Sequence, residues 1–410
     1  MRAERSADLR PRVLVLNQYY WPGVEATAHL LGELCRALAA EFRITVITGT
    51  LRGSEPEHGR FVQDGVEIVR VWSTAFDRRR LSLRALNYAT YLLQSLRAGL
   101  VSERPDIVLC MTDPPVIADI ALVVARRFRA PLVVVSQDVF PEAAVILRRL
   151  ESSLLIGFLR VAVRFYLRRA DWVIAIGETM RHRLQSKGAP IERVRVIPNW
   201  VDTTALTPQP RDNAWSREQG LANRFVVMHS GNIGNAQDLD ALVRAATFLR
   251  DLDDLSIVII GNGARRDDLV ELADLLEVDA VQFLPYQERG ALSLSLAAAH
   301  VHVVGLARGL AGYVVPSRLY GVLAAARPVI VAADDESETA QVATTYGCGL
   351  VVPPGRPELL ATAIRRAYDG EIDLDEMGRR GREYVVREAD RSVAVGKYAA
   401  VLREVVRART

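Results

Sequence analysis

The sequence predicts an α/β protein of two Rossmann-like domains that face each other across a cleft. Short runs of β-branched and apolar residues alternate with longer segments of helical period, which is typical of parallel strands joined by crossover helices. The length of 410 residues exceeds what a single hydrophobic core usually serves. The segment 198–210, PNWVDTTALTPQP, contains three prolines and no apolar stripe, so it predicts the connection between the domains.

The predicted strands divide into two sets of six, one in each half of the chain. We expect an N-terminal domain over residues 1–205, a C-terminal domain over 206–390, and a final helix over 391–410 that packs back toward the N-terminal domain. A helix is predicted at 26–40, because Ala28, Leu31, Cys35 and Leu38 recur at helical spacing. The predicted strands are 13–16, 44–47, 107–110, 132–135, 172–176 and 194–197, then 225–228, 256–260, 281–284, 301–304, 328–331 and 349–352.

Composition predicts a cytoplasmic protein. The three cysteines lie far apart, without the paired spacing of disulfides or zinc sites. No uncharged apolar run reaches eighteen residues, and the N-terminal stretch lacks the apolar core of a signal peptide. The net charge of +3 is small for this length, and no nucleic-acid partner is expected.

The segment 147–170 carries six arginines and one glutamate beside a stripe of Leu, Ile, Phe and Val. We favour a domain helix whose stripe lies in the core and whose arginines are solvated. The alternative is a helix that lies on anionic lipid at the inner face of the cell membrane. A weaker basic patch surrounds the segment 86–96 and contains Arg78, Arg79, Arg80, Arg84 and Arg97.

Glycine-rich or polar turns follow three strands of the second half and predict a phosphate site. Glycines let the backbone approach a ligand, and free amides at a helix start attract phosphate oxygens. Ser317 is placed to cap a helix and Arg318 to reach a phosphate. Each turn taken alone is equally well explained as a plain strand-to-helix connection. The turn residues are Ser230, Gly231, Asn232 and Gly234, then Gly261 and Gly263, then Pro316, Ser317 and Arg318.

Two other classes of site lack support. The glycines at 261 and 263 do not continue into the G-x-G-x-x-G pattern of dinucleotide-binding oxidoreductases. The six histidines do not cluster at ligand spacing, and neither HExxH nor CxxC occurs. We therefore expect neither a metal nor a cofactor.

These motifs carry a resemblance to a known family. The chain resembles the retaining family-four glycosyltransferases with the two-domain GT-B fold, over nearly its full length. Within the family it is most similar to enzymes of capsule, O-antigen and exopolysaccharide assembly, which often share the pattern seen at 137–142. The matching segments are QYYWPG at 18–23, EATA at 25–28, PNWVD at 198–202, HSGN at 229–232, GNG at 261–263 and PSRLYGVLAAARPVI at 316–330.

The resemblance implies transfer of a sugar from a nucleotide diphosphate sugar to a hydroxyl of a glycan or polyprenyl-linked acceptor, with retained configuration and usually no metal. UDP-sugars are the first expectation and GDP-sugars the second. The donor would bind the C-terminal domain and the acceptor the N-terminal one. By match to the family, Gly231 and Asn232 form the diphosphate loop, and Arg318, beside Ser317 and Leu319, is the cation. The segment beside the base contains Phe283, Pro285 and Tyr286. Gly23 belongs to the N-terminal loop that closes toward the donor.

The chain departs from the family pattern at three positions. Tyr313 and Gly321 stand where members commonly keep two glutamates, the second of which holds the ribose. Asn235 stands where a lysine often follows the first glycine loop, which leaves Arg318 as the best cation. The ribose contact therefore lacks its usual carboxylate.

Retaining transfer without an enzymic nucleophile depends on positioning and on stabilising the departing diphosphate. We expect Arg318 and the free amides of Gly231 and Asn232 to stabilise it. Asp138 is expected to orient the acceptor hydroxyl, although it is equally explained as a helix cap. Glu25 and Glu142 are lesser candidates for sugar contacts, and charged surface positions explain them almost as well. Trp200 is expected to pack at the hinge. The alternatives are a sugar-nucleotide epimerase of the same fold and a catalytically silent scaffold docked to the membrane by the basic helices.

Overall fold

The computed structural model describes residues 9–23, 26–51, 58–76 and 81–408, with the backbone alone at positions 26, 81 and 82. Two sheets form the centres of two domains. The strands are β1 Arg12–Leu16, β2 Arg43–Thr48, β3 Gly59–Gln63, β4 Val66–Arg70, β5 Ile107–Cys110, β6 Leu132–Ser136, β7 Trp172–Ala175, β8 Val194–Val196, β9 Phe225–Ser230, β10 Leu255–Ile260, β11 Val281–Leu284, β12 Val301–Gly305, β13 Val329–Ala332 and β14 Gly349–Val352.

The helices cover both faces of each sheet. Their bounds are α1 Ala26–Leu38, α2 Leu81–Leu100, α3 Ile117–Phe128, α4 Glu142–Ile146, α5 Ser153–Leu167, α6 Glu178–Ser186, α7 Ala214–Glu218, α8 Leu239–Ala245, α9 Arg266–Leu275, α10 Leu292–Ala297, α11 Arg318–Ala324, α12 Glu338–Thr345, α13 Pro357–Tyr368, α14 Leu374–Glu388 and α15 Arg391–Arg407. Short 3-10 turns lie at Ile191–Arg193, Asn235–Gln237, Ala246–Phe248 and Arg289–Ala291.

Both sheets are doubly wound. The C-terminal sheet has the order β11-β10-β9-β12-β13-β14 and is parallel throughout. The N-terminal sheet has the order β3-β4-β2-β1-β5-β6-β7-β8, with β3 alone antiparallel to its neighbour. In such sheets the strand order reverses beside the first strand, and ligands bind at the carboxyl ends there. In this chain those points are the ends of β1 and β9.

All twelve predicted strands are present, within two residues of the expected bounds. The hairpin of β3 and β4 was not among the predicted strands. β3 is an edge strand whose side chains are partly or fully exposed, so its sequence GRFVQ carries no buried apolar run. Edge strands are commonly polar in this way, which weakens the strand pattern.

The last helix packs against the N-terminal domain. Tyr398, Leu402 and Val405 of α15 lie in the same buried cluster as Val13 of β1. Trp200, at the connection between the domains, donates from Nε1 to Glu33 Oε2 at 3.1 Å and meets the Tyr398 ring edge-on. Trp200 is therefore a packing residue of the hinge, as predicted.

The two domains touch across the cleft. Val139 N donates to Tyr313 O at 2.9 Å, and Arg183 pairs with Glu336 at 2.6 Å. Glu338 of the C-terminal domain accepts from Thr179 N at the start of α6, which has no side-chain cap of its own. A Cβ at Gly177 would lie 2.1 Å from Glu338 Cδ, so glycine makes room for this carboxylate. One domain thus supplies the missing helix cap of the other.

The favoured interpretation of the basic helix is wrong for the first part of α5. None of residues 151–162 is buried, and only Val163, Tyr166 and Leu167 of the helix reach the core. Leu154 is 87% exposed and Phe158 65%. Leu154, Phe158 and Val161 therefore form an outward apolar stripe, whereas Ile156 and Leu159 on the inward face are half-buried. Among the described residues no helix is long and apolar enough to span a bilayer.

Candidate functional site

Two glycine loops stack at the carboxyl ends of β9 and β10. Gly261 has φ 138°, and a Cβ there would lie 1.9 Å from Gly231 O. Gly263 has φ 158°, and its Cβ would lie 2.2 Å from Ile233 O. Such separations exclude any side chain, so glycine at these positions is required by the close approach of one loop to the other.

The backbone amides of the first loop are not equally available. Gly231 N donates to Ile260 O at 2.9 Å, and Gly234 N donates to Gln237 Oε1 at 2.9 Å. The expectation that the Gly231 amide is free for a phosphate is therefore wrong. Among the described residues the amide of Asn232 has no acceptor, so it remains the donor that this loop offers to a ligand.

Arg318 lies against this loop, as the sequence predicted. Its Nε would be 3.5 Å from a Cβ at Gly231, and its Nη1 lies 2.8 Å from His229 Nε2 and 3.0 Å from Nδ1. Burial, followed by the charge of Arg318, holds the pKa of His229 well below its ordinary value, so the ring is neutral at pH 7. Burial also lowers the pKa of Arg318 to about 10, which leaves it protonated at pH 7.

Within the described part of the chain, Arg318 has no carboxylate partner. A desolvated guanidinium without a counter-charge is costly, and an anionic ligand would relieve that cost. Its remaining contact is a 3.5 Å approach of Nη2 to Asn232 O. The arrangement is suited to binding phosphate oxygens between Arg318 and the Asn232 amide.

Three residues near Arg318 in the chain have environments that the sequence did not predict. Ser317 makes no capping hydrogen bond with α11, which leaves its exposed hydroxyl available to a ligand. Leu319 is buried in the apolar core, so only its backbone faces the turn. A Cβ at Gly321 would meet Leu296 and Leu206 at 3.8 and 3.9 Å, so the position that holds a carboxylate in the resembling family is directed at apolar side chains in this chain.

The segment expected beside the base follows β11. Tyr286 is 56% exposed and donates from its hydroxyl to Asn262 O at 3.3 Å, which places its ring beside the second glycine loop. Pro285 is exposed next to it, whereas Phe283 is partly buried and packs against the domain core. An exposed ring next to a phosphate-binding loop offers a stacking surface for a base.

The opposite wall of the cleft contains Asp138, in the turn after β6. Asp138 pairs with Val314 across the domain boundary, and its amide approaches Thr112 Oγ1 at 3.4 Å. Its carboxylate makes no hydrogen bond with a described residue, and α4 begins after Pro141 without a side-chain cap. The helix-cap explanation of Asp138 is therefore wrong.

Asp138 is open to the cleft but surrounded by protein on its other sides. This crowding raises the pKa of its carboxyl to about 6, and the nearby Arg149 and Arg84 oppose the rise. The carboxylate is thus ionised at pH 7 and available to accept a hydrogen bond from a hydroxyl. Sequence reasoning had assigned both arginines only to basic surface patches.

The other acceptor-side candidates are less well placed. Glu142 is partly buried and pairs with Lys187 and with Arg160, the latter at 3.1 Å. Burial alone would raise the pKa of Glu142, but these cations hold it below its ordinary value. Gly23 lies in the turn before α1, where its amide donates to Tyr20 O at 2.8 Å. Glu25 lies outside the described residues.

The described residues contain no competing metal centre. No group of three or more His, Cys, Asp or Glu side chains is placed to hold a metal ion. A cavity of about 790 Å³ lies at the amino ends of β10 and β11, between Arg224 and Gln282, away from the glycine loops.

Known proteins match both domains. A model of the Glycosyl transferase 4-like domain matches residues 23–200, and a model of Glycosyl transferases group 1 matches residues 212–384. Probable glycosyltransferase WbjE of Pseudomonas aeruginosa is 24% identical over 96% of this chain and 98% of its own. The putative colanic acid biosynthesis glycosyl transferase WcaI of Escherichia coli K12 is 29% identical over 58% of each chain.

Solved structures match the whole architecture. HepE of Anabaena in complex with UDP-glucose superposes with a TM-score of 0.74 at 16% identity, over 96% of this chain and 99% of that one. WaaG, a glycosyltransferase involved in lipopolysaccharide biosynthesis, gives 0.70 at 17% identity over 95% and 99%. These likenesses confirm the predicted fold class of two facing α/β domains.

Proposed function

Because the chain belongs to the glycosyltransferases of the GT-B type, we propose that it transfers a sugar from a UDP-sugar to an acceptor hydroxyl with retention of configuration. The observation that carries the donor half is Arg318, a desolvated guanidinium without a carboxylate partner among the described residues, against a loop with an open amide at Asn232. Ser317 and the ring of Tyr286 complete the donor wall.

In the proposed reaction the bond between the anomeric carbon and the diphosphate oxygen breaks, and a bond to the acceptor oxygen forms on the same face. The acceptor proton passes to the leaving diphosphate, whose growing negative charge Arg318 stabilises. Asp138 orients the acceptor hydroxyl, which explains why its carboxylate is unpaired in the cleft. No step requires a metal, because Arg318 supplies the positive charge at the leaving group.

The donor base is proposed from the solved neighbours, and GDP is the second choice. HepE binds UDP and UDP-glucose. WcaI is a putative colanic acid biosynthesis glycosyl transferase, and WaaG is a glycosyltransferase involved in lipopolysaccharide biosynthesis. We extend these roles to this chain as assembly of a bacterial surface polysaccharide on a glycan or lipid-linked acceptor.

A lipid-linked acceptor is favoured by the outward apolar stripe of α5. Leu154, Phe158 and Val161 are each more than half exposed, and Arg160 and Arg164 flank them on the same helix. Exposed apolar side chains beside arginines suit the headgroup region of an anionic bilayer. We propose that this face docks the enzyme on the inner surface of the cell membrane.

UDP binding tests the donor site directly. Wild-type protein and Arg318→Ala are titrated with UDP by calorimetry. Arg250→Ala is the control, because Arg250 lies near the amino ends of β10 and β11, away from the glycine loops, and donates to Leu276 O. Loss of a charge-assisted hydrogen bond predicts about tenfold to hundredfold weaker binding in Arg318→Ala. Equal UDP affinity in both proteins would contradict the assignment.

Product analysis with a panel of nucleotide sugars separates the rival activities. A glycosyltransferase releases free nucleoside diphosphate, an epimerase changes the sugar and leaves the diphosphate ester intact, and a silent scaffold does neither. Release of UDP from a UDP-sugar, abolished or strongly slowed by Arg318→Ala, is the expected result.

A further inference from the structure

Two arginines face the acceptor side of the cleft. Arg84 belongs to the first turn of α2, and Arg149 follows α4. Each interacts electrostatically with Asp138 and with the other. Tyr88 faces both arginines, and Asp113 and Tyr19 also face Arg84. Among the described residues neither guanidinium is in an ion pair, so neither charge is neutralised by direct contact.

Tyr88 holds Arg84 in place. The Arg84 Nε donates to the Tyr88 hydroxyl at 2.7 Å, and the guanidinium carbon lies 5.3 Å from the centre of that ring. Within the described structure its two terminal nitrogens have no acceptor. A guanidinium fixed through Nε presents its other donors as a planar fork, which is the geometry that binds phosphate oxygens in pairs.

A helix-ending turn holds Arg149. Arg148 N donates to Val145 O and Arg149 N to Ala144 O, with Arg148 at φ 51°, which is the Schellman ending of α4. Leu147, in the same turn, packs against the core of the C-terminal domain. The turn therefore lies at the domain boundary, and the Arg149 guanidinium makes no hydrogen bond with a described residue.

Two like charges beside the same carboxylate repel each other. Burial opposes the charge of Arg84, but Tyr88 and Asp113 raise its pKa. The Arg149 side chain lacks a hydrogen-bond partner among the described residues and keeps part of its surface in solvent. Burial first and Arg84 second lower the pKa of Arg149. A bound anion would offset both effects. We propose that Arg84 and Arg149 bind a phosphate or diphosphate group of the acceptor, next to the hydroxyl that Asp138 orients.

This inference rests on the proposed function, because it names the chemistry of that acceptor. Such a phosphate group has two sources: a lipid diphosphate or a soluble phosphorylated sugar. The exposed apolar segment of α5 begins at Leu154, five positions after Arg149. A hydrocarbon chain attached to the phosphate would find an apolar surface there, which favours the lipid source.

The test is a titration with the donor site already filled by saturating UDP, so that an added anion cannot bind at Arg318. The probes are farnesyl diphosphate, inorganic diphosphate and, as the uncharged control, farnesol. The variants are Arg84→Gln and Arg149→Gln, with Arg97→Gln as the matched control, since Arg97 is exposed near the other end of α2. Thermal unfolding of each variant verifies that it is folded.

Both diphosphates are expected to bind wild-type protein and Arg97→Gln, and to bind Arg84→Gln and Arg149→Gln about tenfold to hundredfold more weakly. UDP affinity should be the same in all four proteins. Tighter binding of farnesyl diphosphate than of inorganic diphosphate assigns the lipid source, and equal binding assigns a soluble acceptor.

The proposal is overturned if folded Arg84→Gln and Arg149→Gln bind the diphosphates as wild type does, or if wild-type protein binds UDP but neither diphosphate. A failure of the proposed function has a different signature. UDP would then not bind, whereas the same titration without UDP would still show diphosphate binding that depends on Arg84 and Arg149.

Discussion

The two walls of the cleft are built in opposite ways. On the C-terminal wall, the glycine loops approach so closely that a Cβ at Gly261 would lie 1.9 Å from the carbonyl oxygen of Gly231. The backbone of these loops determines where the hydrogen-bond donors to the ligand lie around Arg318. On the N-terminal wall, the polar groups are side chains of Asp138, Arg84 and Arg149 without direct ion pairs among the described residues. The donor wall therefore tolerates little change, whereas the acceptor wall can change its ligand by substitution of single side chains.

Gly261→Ala is expected to have the largest effect, because the added Cβ would clash with the backbone of the donor wall. A side chain at φ 138° that also overlaps Gly231 O should cost about 2–4 kcal/mol of unfolding free energy and abolish detectable UDP binding. Denaturant unfolding and calorimetry measure both. Gly290→Ala is the control, since no atom lies within 4 Å of its added Cβ. Unchanged UDP affinity in Gly261→Ala would show that the loops are not rigidly stacked.

Asp138→Asn tests the acceptor wall and should leave the donor wall intact. We expect kcat to fall by about a hundredfold, within the usual range for a positioned acid or base, with UDP affinity unchanged. Since the raised pKa of Asp138 is about 6, the carboxylate is protonated below that value and wild-type activity should decline as pH falls through 6. The variant should lose this acidic limb. An identical pH profile in both proteins would exclude Asp138 as the titrating group.

Substitutions on α5 test whether the acceptor wall extends to a lipid surface. Phe158→Ser with Val161→Ser should weaken binding to vesicles of phosphatidylglycerol and phosphatidylcholine about tenfold or more, because each large apolar side chain contributes about 1.5–3 kcal/mol when buried. Co-sedimentation measures the binding. Ile191→Ser is the control, because Ile191 is 74% exposed elsewhere in the same domain. An equal loss of vesicle binding in the α5 variant and in Ile191→Ser would contradict a special role of α5.

Glu338→Ala tests the contact that joins the two walls. Removing the carboxylate leaves the start of α6 uncapped and should cost about 0.5–2 kcal/mol of unfolding free energy, with a larger radius of gyration by X-ray scattering. Glu383→Ala is the control, because Glu383 is an exposed carboxylate that pairs with Arg379 within α14. A radius that matches wild type would mean that the other boundary contacts hold the cleft closed alone.

The smallest expected effect is that of a chelator. Arg318 supplies the charge at the leaving group in the proposed reaction, so EDTA should leave the initial rate of sugar transfer unchanged. Added Mg²⁺ or Mn²⁺ should not raise the rate of the treated protein. A rate that falls with EDTA and recovers with a divalent ion would require a metal at the donor diphosphate.

The sequence by itself determined the fold class, the twelve strands it predicted and the meeting of the Gly231 loop with Arg318. Parallel strands buried on both faces are short apolar runs between turns, and such runs are visible without coordinates. Glycines with positive φ at strand ends mark the positions where backbones approach closely, and sequence order places those ends at one edge of the sheet.

Only the tertiary structure decided which groups are free. The availability of the Gly231 amide depends on Ile260 O, and the exposure of the α5 stripe depends on what packs against it. The electrostatic interaction of Arg84 with Arg149 depends on α2 and the turn after α4, which are far apart in the chain. Local sequence fixes the period and turns of an element, but hydrogen-bond satisfaction and burial depend on residues brought together by folding.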